Sequence, residues 1–435
     1  GGEVPFTSAG IEPDVTISHD MTVDASTNTL GTLTVDGSKT LTVAIGNTIT
    51  VSGASGVNGI ISVTGNYDAN GASNINGIVT VSSNGTYTAG GASDVNGTIS
   101  VAGIYDANGS FDGTSGNIAI STDGSLQLGS VVTSLGTLDN SQGTVVYDGS
   151  SAQNIASGTY YNLEISGSDK SLIGNSSVEG LLSFSSDHDL ITNGNELTIT
   201  QTPSGYSDQR LIRGGSSSNV TVKYSSTSTS QCLIPFGVDN SLRTLGITAA
   251  SSTPVIYNSS YIIGSPTTID FSAYPNTGVP INSATGLNYV NNEYYYDISR
   301  SNSVNADIAM EFNGLNTPSI ANMYMAHWDD GANEWERLST SASESQVVAT
   351  NVSSFSPFTQ GSGGIPLNGS LPKTYVPDDN FETYLETHDA SGNVVSVGDA
   401  NSMGDGIANN DYVTTANISG VTYLYVSSMP QSPIA

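Results

Sequence analysis

The triplet Asp187-His188-Asp189 is where the sequence sets an imidazole between two carboxylates. Such groups can pass protons to and from a substrate when they converge. In a strand, though, alternation puts Asp187 and Asp189 on one side and His188 on the other. The triplet therefore reads as a solvated turn. His19, His327 and His388 fall at no zinc-binding interval. No nucleophile elbow or phosphate-binding loop is present. Between residues 16 and 200 the only basic residues are Lys39 and Lys170, neither in an acidic cluster of the sequence. A non-enzymatic protein is expected.

Other residue types point to binding rather than catalysis. Asp399, Asn401, Asp405, Asn409, Asn410 and Asp411 crowd a short loop with hard oxygen donors suited to calcium, although not at EF-hand spacing. The competing reading is a polar turn whose side chains bond local backbone. No other cofactor is expected. Asn84, Asn96, Asn108, Asn175, Asn219, Asn258, Asn351, Asn368 and Asn417 open Asn-x-Ser/Thr sequons and are candidate glycan sites. Tyr294, Tyr295, Tyr296, Trp328 and Trp335 would suit a sugar-stacking platform, but alternating aromatics in a sandwich more often pack a core. Cys232 is alone, which excludes a disulfide within the chain, and its strand context reads as a buried apolar residue.

Composition narrows the partners. Of 435 residues only 11% are charged, 39 acidic against 9 basic, for a net charge of −30. Nine cations cannot neutralise a run of phosphates, so nucleic acid is not an expected partner. No apolar window of about 18 residues exists, so no membrane-spanning helix is expected.

The elements that carry these residues begin with a repeat. Val57-Asn58-Gly59, Ile75-Asn76-Gly77 and Val95-Asn96-Gly97 each precede a β-branched run. Each is followed by a tyrosine marker at Tyr67, Tyr87 or Tyr105. A period near 19 residues, with three-residue strands and Gly/Asn/Asp corners, predicts a β-solenoid of nine or ten turns over 16–200. Asn58, Asn76 and Asn96 should stack as a ladder. Beyond 201 the runs lengthen, and a hairpin with aromatic arms surrounds Asp329-Asp330-Gly331. Residues 201–360 read as an immunoglobulin-like sandwich and 361–374 as a linker. The tail, 375–435, should hold a helix presenting Phe381, Tyr384, Leu385 and His388 on one face, then a lone strand at Val421–Val426.

Three stretches carry a resemblance. They are Val145–Leu163, Asn351–Thr359 and Val376–Glu382. They resemble modules of large secreted surface proteins of Bacteroidetes. The third resembles the opening of a leucine-rich-repeat region, but the repeats themselves are missing. The resemblance implies export by the type IX system and a place at the cell surface, and it implies no activity. The N-terminus lacks the basic and apolar regions of a signal peptide, as expected of a removed signal or an internal start.

The whole reads as an all-β chain: a docking segment (1–15), a β-solenoid, an immunoglobulin-like sandwich and a small C-terminal tail with one helix. Open solenoid ends and an apolar N-terminal segment point to a structural subunit of an extracellular filament. It would polymerise head to tail with copies of itself, through Val4, Phe6 and Ile11 at one end and Val421, Tyr423 and Tyr425 at the other. The alternative is a surface adhesin whose solenoid and sandwich present a carbohydrate- or protein-binding tip.

Overall fold

The computed structural model describes residues 13–362 apart from 24–28, 216–218, 239, 264–282, 288, 292–293, 312–322, 330, 333, 339, 344–345 and 356. It also describes the backbone of 383–388, 394–399, 411–418 and 421–428. The chain divides into two units, 1–369 and 370–435.

The first unit opens with short strands built on apolar triplets. Leu41 and Val43 turn inward with no exposure while Thr42 points out, and Ile61 and Val63 repeat this around Ser62. A strand so short cannot bury enough surface alone, so each stacks in parallel on the strand one turn earlier. The register shows it: Ile60 lies beside Ile78, Ile78 beside Thr98, and Thr98 beside Asn117. Three faces result. One runs from Val15–Ile17 to Val132–Ser134, the next from Met21–Val23 to Thr137–Asp139, and the third from Thr48–Val51 to Leu182–Phe184. The solenoid makes about 10 turns over residues 15–213, past the expected limit at 200. At about 4.8 Å per turn it is roughly 45–50 Å long.

Corners demand glycine where turns touch. A Cβ on Gly77 would lie 1.9 Å from the Gly59 carbonyl oxygen, and one on Gly97 1.9 Å from that of Gly77. Beside these glycines the expected asparagine ladder forms. Asn76 Nδ2 donates to Asn58 Oδ1 at 3.1 Å, and Asn96 Nδ2 to Asn76 Oδ1 at 3.4 Å.

A second ladder runs inside. Tyr67, Tyr87 and Tyr105 are fully buried, with ring centroids 4.7 and 4.8 Å apart and planes within 14°. Burial raises all three pKa values, that of Tyr87 to about 12. Each hydroxyl meets a buried serine of its own turn: Tyr67 with Ser55 at 2.8 Å, Tyr87 with Ser73 at 3.1 Å, and Tyr105 with Ser93 at 3.4 Å.

The cross-section changes near residue 150. The third face continues, but the first two end, and new faces start at Gln153–Ile155 and Gly158–Tyr160. The Gln153 amide covers the step, donating to the carbonyls of Leu128 and Ser130 and accepting from Gly149 N–H.

Those new faces do not stop where the solenoid does. Ile212–Arg213 pairs in parallel with Cys232–Val238, and Leu197–Ile199 with Val220–Ser226; every later strand pairing among the described residues of the first unit is antiparallel. One sheet continues through Ser241–Ala249, Ala306–Glu311, Gln346–Val352 and Thr340–Ala342. The other continues through Val255–Ile263, Tyr294–Arg300, Pro357–Ser362, Met323–Asp329 and Glu334–Arg337. Phe236 of one layer meets Tyr261 and Tyr296 of the other, each at 5.9 Å. The expected hairpin is present, with Trp328 opposite Trp335 and Asp329 Oδ1 accepting from Gly331 N–H at 2.7 Å.

The second unit holds a four-stranded sheet in the order Val394–Asp399, Thr383–His388, Asp411–Ile418, Val421–Ser428. The expected tail helix is corrected here: Tyr384, Leu385 and His388 lie in a strand, and Phe381 is outside the described residues. Thr383, Tyr384 and Thr387 favour extended backbone, and their cross-strand partners outweigh a helical spacing of apolar residues. The strand expected to stand alone is paired along its length with Asp411–Ile418.

Candidate functional site

A polar site lies where the parallel pairing of the solenoid gives way to antiparallel pairing. Lys170–Leu172, Leu190–Ile191 and Ile212–Arg213 stack as successive turns of one face. This brings Asp169, Asp189 and Arg213 together from points far apart in sequence. Arg213 Nη2 donates to Asp169 Oδ2 at 2.8 Å and its Nε to Asp189 Oδ2 at 2.7 Å. Asp189 N–H donates to Asp169 Oδ1 at 3.0 Å, and Leu211 N–H to Asp189 Oδ1 at 3.2 Å. Arg210 holds Asp187 at 2.7 Å. A cleft of about 530 Å³ opens here, lined by Asp169, His188, Asp189, Arg213 and Asn240 among others.

Burial pushes the Asp169 carboxyl upward, but the Asp189 N–H and the Arg213 charge overcome it and hold the pKa below the usual value. The Asp187–Asp189 segment is irregular, not a strand, and His188 Nδ1 lies 3.5 Å from Asp169 Oδ1 instead of bridging its two neighbours. Each of these carboxylates thus has a cationic or N–H partner, an arrangement that fastens three turns together. Sequence reading missed Arg213 and Asp169. The available signal was that Asp169 and Asp189 are separated by one turn's length.

Lys170 lies inside the solenoid with no exposure, its Nζ donating to Gly149 O at 2.9 Å and Ser168 Oγ at 3.0 Å. Burial lowers its pKa to about 8, against the opposing charges of Asp148 and Asp169. A second cleft of about 520 Å³ marks the change of cross-section, between Thr133–Leu138 and Ala156–Tyr160, with exposed Ile173 at its rim.

At the beginning of the solenoid, Val15–Ile17 and Met21–Val23 have strand partners on one side only among the described residues. Val4, Phe6 and Ile11 lie outside the described residues. Val421, Tyr423 and Tyr425 belong to the last strand of the four-stranded sheet, whose outer edge has no strand neighbour among the described residues.

No protein-family model, characterised protein or solved structure matches this chain.

The remaining candidates separate by position. Asp399 ends one strand and Asp411 begins another, on either side of Thr383–His388; Asn401, Asp405, Asn409 and Asn410 lie outside the described residues. Asn84, Asn96, Asn108, Asn175 and Asn219 are exposed on the first unit, as is Asn351. Asn175 Oδ1 is engaged by Glu196 N–H at 3.0 Å. Asn258 is half-buried in a strand, donating to Ser299 Oγ at 3.3 Å, so a glycan there would break the sheet face. Asn368 lies outside the described residues and Asn417 in the strand Asp411–Ile418. Tyr294, Tyr296 and Trp335 are at most 2% exposed, which assigns them to packing rather than to an open platform. Cys232 is buried, and burial pushes its thiol up to about 12, against a hydrogen bond from Thr202.

Proposed function

We propose that the chain is a non-enzymatic structural subunit of an extracellular bacterial filament, assembling head to tail through its terminal segments. The observation that carries this reading is the inequality of the solenoid's two ends. The far end runs by continuous hydrogen bonding into the sandwich, so it is closed. The near end leaves the outer edges of Val15–Ile17 and Met21–Val23 without a strand partner among the described residues. Unlike ends favour a heterologous contact, which propagates instead of closing. The outer edge of Val421–Ser428, with Tyr423 and Tyr425 in it, is a candidate for the matching surface. Residues 1–12, carrying Val4, Phe6 and Ile11, would join that contact.

The surface location and type IX export follow from the resemblance of Val145–Leu163 and Asn351–Thr359 to Bacteroidetes surface modules. The exposed sequon asparagines suit a glycan coat, and calcium at Asp399–Asp411 would brace the tail. The immunoglobulin-like reading of the sandwich is supported by its two antiparallel layers and shared aromatic core. Its join to the solenoid is a departure from the free-standing seven-strand form.

Two variants test the route of assembly: deletion of residues 1–13, and Thr16→Lys combined with Thr22→Lys at the exposed positions of the first turn. Edge lysines oppose strand addition. Sedimentation of the variants should show monomers with the melting transition of the parent chain kept. Polymers persisting in both variants would overturn the proposed contact.

A further inference from the structure

Asparagine-glycine pairs recur at the solenoid corners, and they carry a chemistry of their own. The backbone nitrogen of the glycine can attack the asparagine Cγ, since glycine has no side chain to block the approach. The N–Cγ bond forms, the Cγ–Nδ2 bond breaks, and ammonia leaves with the amide proton. Water then opens the resulting succinimide at either carbonyl, giving aspartate or isoaspartate. The attack requires a glycine N–H released from hydrogen bonding and room for the ring.

Stacking withholds both from the solenoid corners. Gly77 N–H donates to Val57 O and Gly97 N–H to Ile75 O, each at 2.8 Å. Gly59 and Gly109 are tied in the same way, to Val35 and Ala89, and the Gly85 N–H is held within its own corner by Ser82 O. Gly71 lacks such a bond, but a Cβ there would meet the Gly53 oxygen at 2.2 Å, so it is clamped by the turn beneath.

Asn193-Gly194 is built differently. Asn193 and Gly194 both have positive φ, 51° and 80°, and Asn195 N–H closes the turn on Thr192 O at 2.9 Å. This is a type I′ turn, whose third residue has its N–H outside the closing bond. Both residues are exposed, and nothing lies within 4 Å of a Cβ built on Gly194.

We propose that Asn193 is the principal site of spontaneous succinimide formation among the described asparagines, and so an ageing site of the folded chain. Its position gives the modification a consequence. Asn193 Oδ1 packs against Gly215, and the adjoining Thr192 holds the Arg213 carbonyl through its N–H at 2.9 Å. Isoaspartate adds one backbone atom and one negative charge beside the Asp169–Arg213–Asp189 cluster, which loosens the join between solenoid and sandwich.

The test ages the full chain in mildly alkaline buffer, folded and in denaturant, and follows each Asn-Gly peptide by mass and by isoaspartate content. In the folded chain Asn193 should convert at least about tenfold faster than Asn76 or Asn96, because those require local opening first. In denaturant the difference should disappear, and Gly194→Ala should slow conversion at Asn193 alone. Conversion of Asn76 or Asn96 as fast as Asn193 in the folded chain overturns the proposal. So does an unchanged Asn193 in folded chains when the denatured chain converts.

Discussion

The Tyr87 hydroxyl donates to Ser73 Oγ at 3.1 Å, both groups buried and in the same turn. The pairing recurs in three successive turns. Each carries a tyrosine at one position of the third face and a serine on the first: Tyr67 with Ser55, Tyr87 with Ser73, Tyr105 with Ser93. On either side, Ile49 and Leu126 take the tyrosine position, and Leu33 and Phe111 take the serine position. A buried hydroxyl is costly unless bonded, so the two positions change together.

This coupling is measurable. Tyr87→Phe and Ser73→Ala should each cost about 1–2 kcal/mol, because each leaves the other hydroxyl unpaired. The double variant should cost less than their sum by about 0.5–1 kcal/mol. Urea unfolding of the four chains closes the cycle, and strict additivity would remove the coupling.

Close stacking makes a sharper demand at the corners. Gly77→Ala would place a methyl 1.9 Å from a carbonyl oxygen. The expected loss is about 3 kcal/mol, at the upper end for overpacking, read as a lowered urea midpoint.

Much of this was legible in the sequence. The Asn-Gly and tyrosine markers gave the period, and the period gave the parallel register of Ile60, Ile78 and Thr98. What escaped was relation across turns. Nothing in the sequence sets Ser55, Ser73 and Ser93 apart from the chain's many other serines; only the stacked turns bring the tyrosine hydroxyls to them. Arg213 lies outside the repeat in sequence, yet one turn above Asp189 in space. The tail helix failed because spacing of apolar residues cannot show that Tyr384 lies between two strands.

The Arg213 fork should be the main polar fastening of the join. Arg213→Met leaves Asp169 and Asp189 without their cation. With those side chains 37% and 12% exposed, the expected cost is about 2 kcal/mol, below that of a fully buried pair. The Asp169 pKa is depressed, so this stabilisation is present above the ordinary value of 3.8 and fades as pH falls below it. Melting of parent and variant across acid pH measures the convergence.

At alkaline pH two groups act in opposite directions. Lys170 has a folded pKa of about 8 against 10.5 when free, so the unfolded chain holds its proton longer and stability rises over that interval. Tyr87 and Tyr147 have folded values of about 12 against 10.0, so their contribution is present below pH 10 and lost as pH rises toward 12. The melting temperature should therefore climb above pH 8 and collapse beyond pH 10. Lys170→Met should remove the climb and leave the collapse, since Gly149 O still accepts from Ser168 Oγ at 2.9 Å.

Electron microscopy of the purified full chain shows whether it polymerises. Long filaments with a regular axial repeat are expected, growing from one kind of end-to-end contact. Discrete rods of one subunit, unchanged at the highest concentrations reached, would rule head-to-tail assembly out.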